Sequence, residues 1–188
     1  MGIFDFFKRK PIEQKRKLED NYVLPYFGQI DINNLEEHYR SNFELNNSNI
    51  KTDLNFEGKS IEKNKIEQIE AFLKNATDFD KKNKVYIEKD FENDIGETEA
   101  YINFYLEELD ENELKKIIEL DNQTKSKSIQ LLNKLKLIRI GFYPDNKYGT
   151  SYFTTFDYSI EIDGETSNQL LVVNTDEKGN LDHITWES

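Results

Sequence analysis

The sequence predicts an α+β domain: a mainly antiparallel sheet, built from N-terminal strands and a C-terminal four-stranded meander, with a central helical segment packed on one face. Three observations predict it. Apolar and polar residues alternate with period two in Gln29–Ile32 and Ile50–Glu57, apolar residues recur at helical spacing in Ile61–Ile118 and again in Ile129–Leu135 after a polar linker at Asp121–Ser128, and period two returns from Leu137 to Trp186 between tight-turn signals. Strands, then helices, then strands along one chain are the pattern of an α+β fold. A chain of 188 residues suits one domain with a sizeable core.

Residues 1–20 read as a separate basic leader. Ile3, Phe6 and Phe7 share a face at helical spacing with Phe4 beside them, and Lys8, Arg9 and Lys10 follow before Pro11 interrupts. The domain, residues 21–188, opens with a turn at Pro25–Gly28 and a short strand at Gln29–Ile32. Asn33 or Asn34 is placed to cap a brief helical turn holding Leu35 and Tyr39. Two strands follow, one with Tyr39, Phe43 and Leu45, the other with Ile50, Thr52, Leu54 and Phe56 alternating with Lys51, Asp53, Asn55 and Glu57. Asn46–Asn49 between them suits a hairpin, because asparagine tolerates positive φ.

In the helical middle, Ile61–Asn75 puts Ile66, Ile69, Phe72 and Leu73 on one stripe. Asp78 is expected to cap a second helix with Phe79, Val85 and Tyr86, and Gly96 to stop it. Glu97–Leu109 presents Tyr101, Phe104 and Tyr105, and Asp110 with Glu113 has capping-box spacing for a helix holding Leu114, Ile117 and Ile118. Ile129–Leu135 reads as a last short helix.

The C-terminal block reads as strands at Leu137–Phe142, Tyr152–Ile162, Leu170–Thr175 and Leu181–Trp186. Asp163-Gly164 and Asp176–Gly179 are tight-turn signals, and Leu170–Val173 is apolar on both faces, as a strand flanked on both sides would be.

Composition excludes several function classes. Without cysteine there are no disulfides, thiolate nucleophiles or cysteine-based zinc sites. No apolar run is long enough to span a membrane, and the order of apolar and basic residues at the start is the reverse of a secretory signal, so a cytoplasmic protein is expected. Eight glycines form no phosphate-binding loop. His38 and His183 lack a catalytic or metal-ligand context: Asp182 and His183 are expected on opposite faces of a strand, and Asp157 and Glu161, on the outer face of theirs, about 13 Å apart. No catalytic residue, metal site or cofactor is expected.

Net charge is −12, with +4 on residues 1–17 and therefore −16 on the rest. Such a body repels nucleic acid and attracts a basic protein. Eleven of the residues from Glu88 to Glu113 are acidic and one is basic, with aromatics interleaved. Glu97, Glu99, Glu107, Glu108, Asp110, Glu111 and Glu113 are therefore the expected partner-binding residues of a non-enzymatic, immunity-type or adaptor module. Two alternatives stand beside it. One is a hydrolase with a site of Asp, Glu and Tyr side chains and Arg139; the other is weak contact of Ile3, Phe4, Phe6, Phe7, Lys8, Arg9 and Lys10 with an anionic membrane surface.

Five segments also carry a family resemblance: residues 25–31, 53–56, 137–144, 156–160 and, most specifically, Leu181–Ser188 within 170–188. They are similar, in order, to a bacterial family of unknown function, numbered two thousand and four, over roughly residues 22–188. The resemblance implies a small bacterial cytoplasmic protein of α+β fold, and brings no activity or site residues.

Overall fold

A computed structural model describes residues 21–188. The first two strands, β1 (Asn21–Leu24) and β2 (Gly28–Asp31), form a hairpin of their own instead of joining the main sheet. Tyr26 at its tip takes a left-handed φ of 69° and stacks on Phe43, ring centroids 4.6 Å apart. The helical turn expected after Asn33 or Asn34 is not formed. Asp31 closes a plain turn instead, its carboxylate accepting from the Asn33 amide at 3.0 Å and its carbonyl from the Asn34 amide at 3.1 Å, and Tyr39 belongs to the next strand.

Strands β3 (His38–Leu45) and β4 (Ser48–Asn55) are joined by Asn46 and Asn47, both left-handed, as a two-residue hairpin turn requires. Five helices come next: α1 (Lys63–Lys74), α2 (Ala76–Phe91), α3 (Glu97–Glu108), α4 (Glu111–Ile117) and α5 (Lys127–Leu132). Only Asn75 separates α1 from α2, so Asp78 lies inside the first turn of α2 and pairs with Lys81 instead of capping. Gly96 does not end α2, which stops at Phe91. It precedes α3, where the chain turns so closely that a Cβ would lie 2.0 Å from the Asp90 carbonyl oxygen. Asp110 and Glu113 form both halves of the capping box on α4, and Ser126 caps α5.

The remaining strands are β5 (Lys136–Phe142), β6 (Thr154–Ser159), β7 (Glu161–Ile162), β8 (Glu165–Thr166), β9 (Leu170–Thr175) and β10 (Leu181–Glu187). The long strand expected at Tyr152–Ile162 is broken at Ile160, and its end folds over as the β7–β8 hairpin, with Asp163 and Gly164 left-handed at the tip. The six-stranded main sheet runs β10-β9-β6-β5-β4-β3. Its neighbours are antiparallel except β4 and β5, which the helical segment connects in parallel.

The register gives the sheet two different faces. Thr52, Ile140, Phe156, Val173 and Ile184 align across five strands on the helix side. There Phe72 of α1 meets Phe142, Phe153 and Phe156, and stacks at 4.0 Å on Phe79 of α2. Tyr158 donates to the buried Asp80 of α2 at 3.1 Å, and Trp186 packs beside Tyr101 and Phe104 of α3. The second face is polar. It carries the row Asp53, Gly141, Thr155, Asn174 and His183, and beside it Lys51, Arg139, Asp157, Val172 and Thr185.

Candidate functional site: the polar face of the sheet

Strand alternation places Arg139, between the apolar Ile138 and Ile140, on the second face. The parallel register then brings β4 alongside it. Asp53 accepts from Arg139 Nε at 2.6 Å and from Nη2 at 2.9 Å, a two-point grip that matches the planar guanidinium. Asp157 of β6 accepts from Nη1 at 2.9 Å, and Nη2 also reaches the Tyr143 hydroxyl at 3.1 Å. Gly141 makes this possible: a Cβ there would lie 2.6 Å from Nη2, so the guanidinium lies across the glycine.

Burial works against the Arg139 charge, but Asp53, Asp157 and Tyr143 outweigh it and raise its pKa. The Asp157 carboxyl is pushed above its ordinary value by burial, with the Arg139 charge opposing. Asn55 extends the network, donating to Asp53 while His38 Nδ1 lies 2.9 Å from its side-chain oxygen.

A second chain of hydrogen bonds crosses the same face. The β-bulge between Leu181 and His183 turns Asp182 and His183 toward each other, against the expectation that they diverge. His183 Nδ1 lies 2.6 Å from Asp182, Nε2 lies 3.1 Å from Asn174 Nδ2, and Thr155 donates to Asn174 Oδ1 at 2.7 Å. Both ring nitrogens of His183 are thus engaged, one by the carboxylate and one by the amide. An amide, not a hydroxyl, stands on Nε2, so the arrangement is not a nucleophile–base pair.

Tyr143 and the loop after it close one side of the site. Asn146 and Tyr148 both take φ near 62°, uncommon for residues with a Cβ, and Tyr148 is 69% exposed. Lys147 between them is buried. Its ammonium donates to the Phe56 carbonyl at 2.9 Å and to Glu37 at 2.7 Å, and lies 5.2 Å from the Tyr148 ring centre. The Lys147 contact holds the Glu37 carboxyl below its usual range. Between these walls runs a groove of about 560 Å³, lined by Arg40, Lys51, Asp53, Asn55, Arg139 and Tyr148 among others.

The acidic residues expected to bind a partner fall into two groups. Glu97 and Glu99 stand in the first turn of α3. Glu107 and Glu108 end that helix, about 15 Å away by helical rise, and adjoin Asp110, Glu111 and Glu113 of α4. Asp110 and Glu113 are occupied in the capping box, Glu99 accepts from Asn103 at 2.9 Å, and Glu111 lies 3.9 Å from Lys115. The expected membrane-contact residues, Ile3, Phe4, Phe6, Phe7, Lys8, Arg9 and Lys10, lie outside the described residues. Among the described residues no helix is long and apolar enough to cross a membrane, and no group of His, Asp and Glu side chains is arranged to hold a metal ion.

The sequence named Arg139 as a member of the alternative hydrolase site. It missed the polar set on the C-terminal strands, which depends on buried Asp157, Thr155 and Asn174 converging with Asp53 from the other half of the chain. No protein-family model, curated protein or solved structure matches this chain.

Proposed function

We propose that the protein is a non-enzymatic binding module that captures a basic protein through the acidic surface of α3 and α4, in an immunity-type or adaptor role. One observation carries the reading. Glu107 and Glu108 occupy the last turn of α3, where the helix dipole disfavours anions, and no basic residue lies in that turn. The fold gains nothing from two carboxylates there, whereas a cationic partner would. Ile95, 90% exposed in the loop between α2 and α3, adds an apolar anchor at the other end of α3, beside Glu97 and Glu99. The test is capture from the native host at low and moderate salt, with the full chain and with Glu107→Lys/Glu108→Lys. A stoichiometric basic partner, lost in the variant and weakened by salt, supports the reading; capture indifferent to the reversal defeats it.

A second reading, a hydrolase using Asp, Glu and Tyr side chains, draws on the gathering of Asp53, Asp157 and Tyr143 around Arg139. Turnover of a simple ester or phosphate ester by the purified chain, abolished in Asp157→Asn, is the result it requires. We also propose kinship with the bacterial family numbered two thousand and four. Its most specific segment, Leu181–Ser188, contains Asp182 and His183 of the hydrogen-bonded chain, and a member's structure with the same bulge would support it.

A further inference from the structure

The groove beside Arg139 has a charge pattern opposite to that of the molecule. Arg139 is engaged by two carboxylates and a hydroxyl, and those carboxylates are turned inward, with Asp53 14% and Asp157 8% exposed at their side chains. Arg40 and Lys51, which line the same groove, are exposed and form no ion pair among the described residues. Arg40 stands directly across the ladder from Asp53, and Lys51 directly across from Arg139, so both belong to the polar face and not to a distant edge. On a chain of net charge −12, two uncompensated cations at the mouth of a concave site are a local reversal of the field.

The Tyr148 wall is an independent observation. A left-handed tyrosine costs backbone energy, and anchoring its loop takes a buried ammonium, which is expensive unless fully paired. Both are spent on presenting an exposed aromatic ring at the rim of the groove, with Tyr143 and Tyr148 ring centres 6.4 Å apart. His38 and Asn55, hydrogen-bonded to each other at 2.9 Å, complete the polar lining.

We propose that this groove binds a small ring-bearing oxyanion, its negative group held by Arg40 and Lys51 and its ring lying against Tyr148. The site is distinct from the acidic helices, so it stands or falls separately from the capture of a basic protein. The test is residue-resolved NMR titration of the full chain at low salt with three probes: phenyl phosphate, inorganic phosphate and phenol. Saturable shifts at the amides of Ser41, Thr52, Asn55 and Tyr148 are expected with phenyl phosphate, weaker ones with inorganic phosphate, and none that saturate with phenol. Arg40→Ala/Lys51→Ala, at exposed positions the fold does not need, weakens both anions about tenfold per cation removed. Tyr148→Asn, which keeps a residue tolerant of positive φ, removes the preference for phenyl phosphate over phosphate, a change of about fivefold. Shifts confined to residues 1–20, an equal response to phenol, or affinities unchanged in the double variant would overturn the proposal.

Discussion

A guanidinium withdrawn from water must recover its hydration from fixed partners. Arg139 recovers it from Asp53, Asp157 and Tyr143, and Gly141 leaves the room to do so. Arg139→Met strands two carboxylates and is expected to destabilise the fold by roughly 3 kcal/mol in urea denaturation. Gly141→Ala pushes the guanidinium off its partners and costs about 1–3 kcal/mol. Because both changes break the same contacts, the double variant loses clearly less than the sum, which a double-mutant cycle measures. Arg139 was legible in the sequence only as a candidate of the alternative hydrolase site. Its partner Asp53 was not, because that carboxylate lies 86 residues away and only the parallel register of β4 on β5 brings it alongside. Asp157 looked like one more polar residue on a solvated face, and burial is what distinguishes it.

Elements with their own signals were legible down to single residues: the Asn46-Asn47 turn, the Asp110–Glu113 capping box and the Asp176–Gly179 turn. Elements bounded by tertiary contacts were not. Gly96 has a glycine's reason to be where it is, but the reason is the Asp90 carbonyl and not helix termination. Two predictions belong at this scale. Glu107→Lys removes an anion from the C-terminal end of α3 and is expected to stabilise the free protein by about 0.3–1 kcal/mol, read as a higher Tm. A change that strengthens the fold while abolishing capture would separate function from architecture. In the β9–β10 turn, Asp176 accepts from the amides of Lys178 and Asn180, each at 2.8 Å. Burial pushes this carboxyl up, but those bonds and the Asn180 side chain outweigh it and hold it below its ordinary value. The folded-state pKa is thus the lower one. The stabilisation is present above the unfolded value of about 3.9 and is lost as pH falls through the folded value. Asp176→Asn should therefore be less stable at neutral pH and lose less of its stability between pH 5 and 2, followed by thermal melts across that range.

At the scale of the molecule, one apolar cluster among the described residues runs from Leu24 in the first hairpin to Ile184 in the last strand, with α1 to α5 each contributing to it. Such a core should unfold as a unit. Urea transitions followed by Trp186 fluorescence and by far-ultraviolet circular dichroism are expected to coincide; separated midpoints would mean that the β1–β2 hairpin or the α3–α4 surface melts on its own. The parallel junction of β4 with β5 has a further consequence, for the order of events during folding. Leu54 finds its partner Phe142 only after the whole helical segment has been made and brought round. Until then the β3–β4 hairpin keeps a bare edge, with its backbone donors and acceptors open to pairing with another chain. Long-range closure of this kind is slow. The slower that closure, the longer the β4 edge stays open to pairing with another chain.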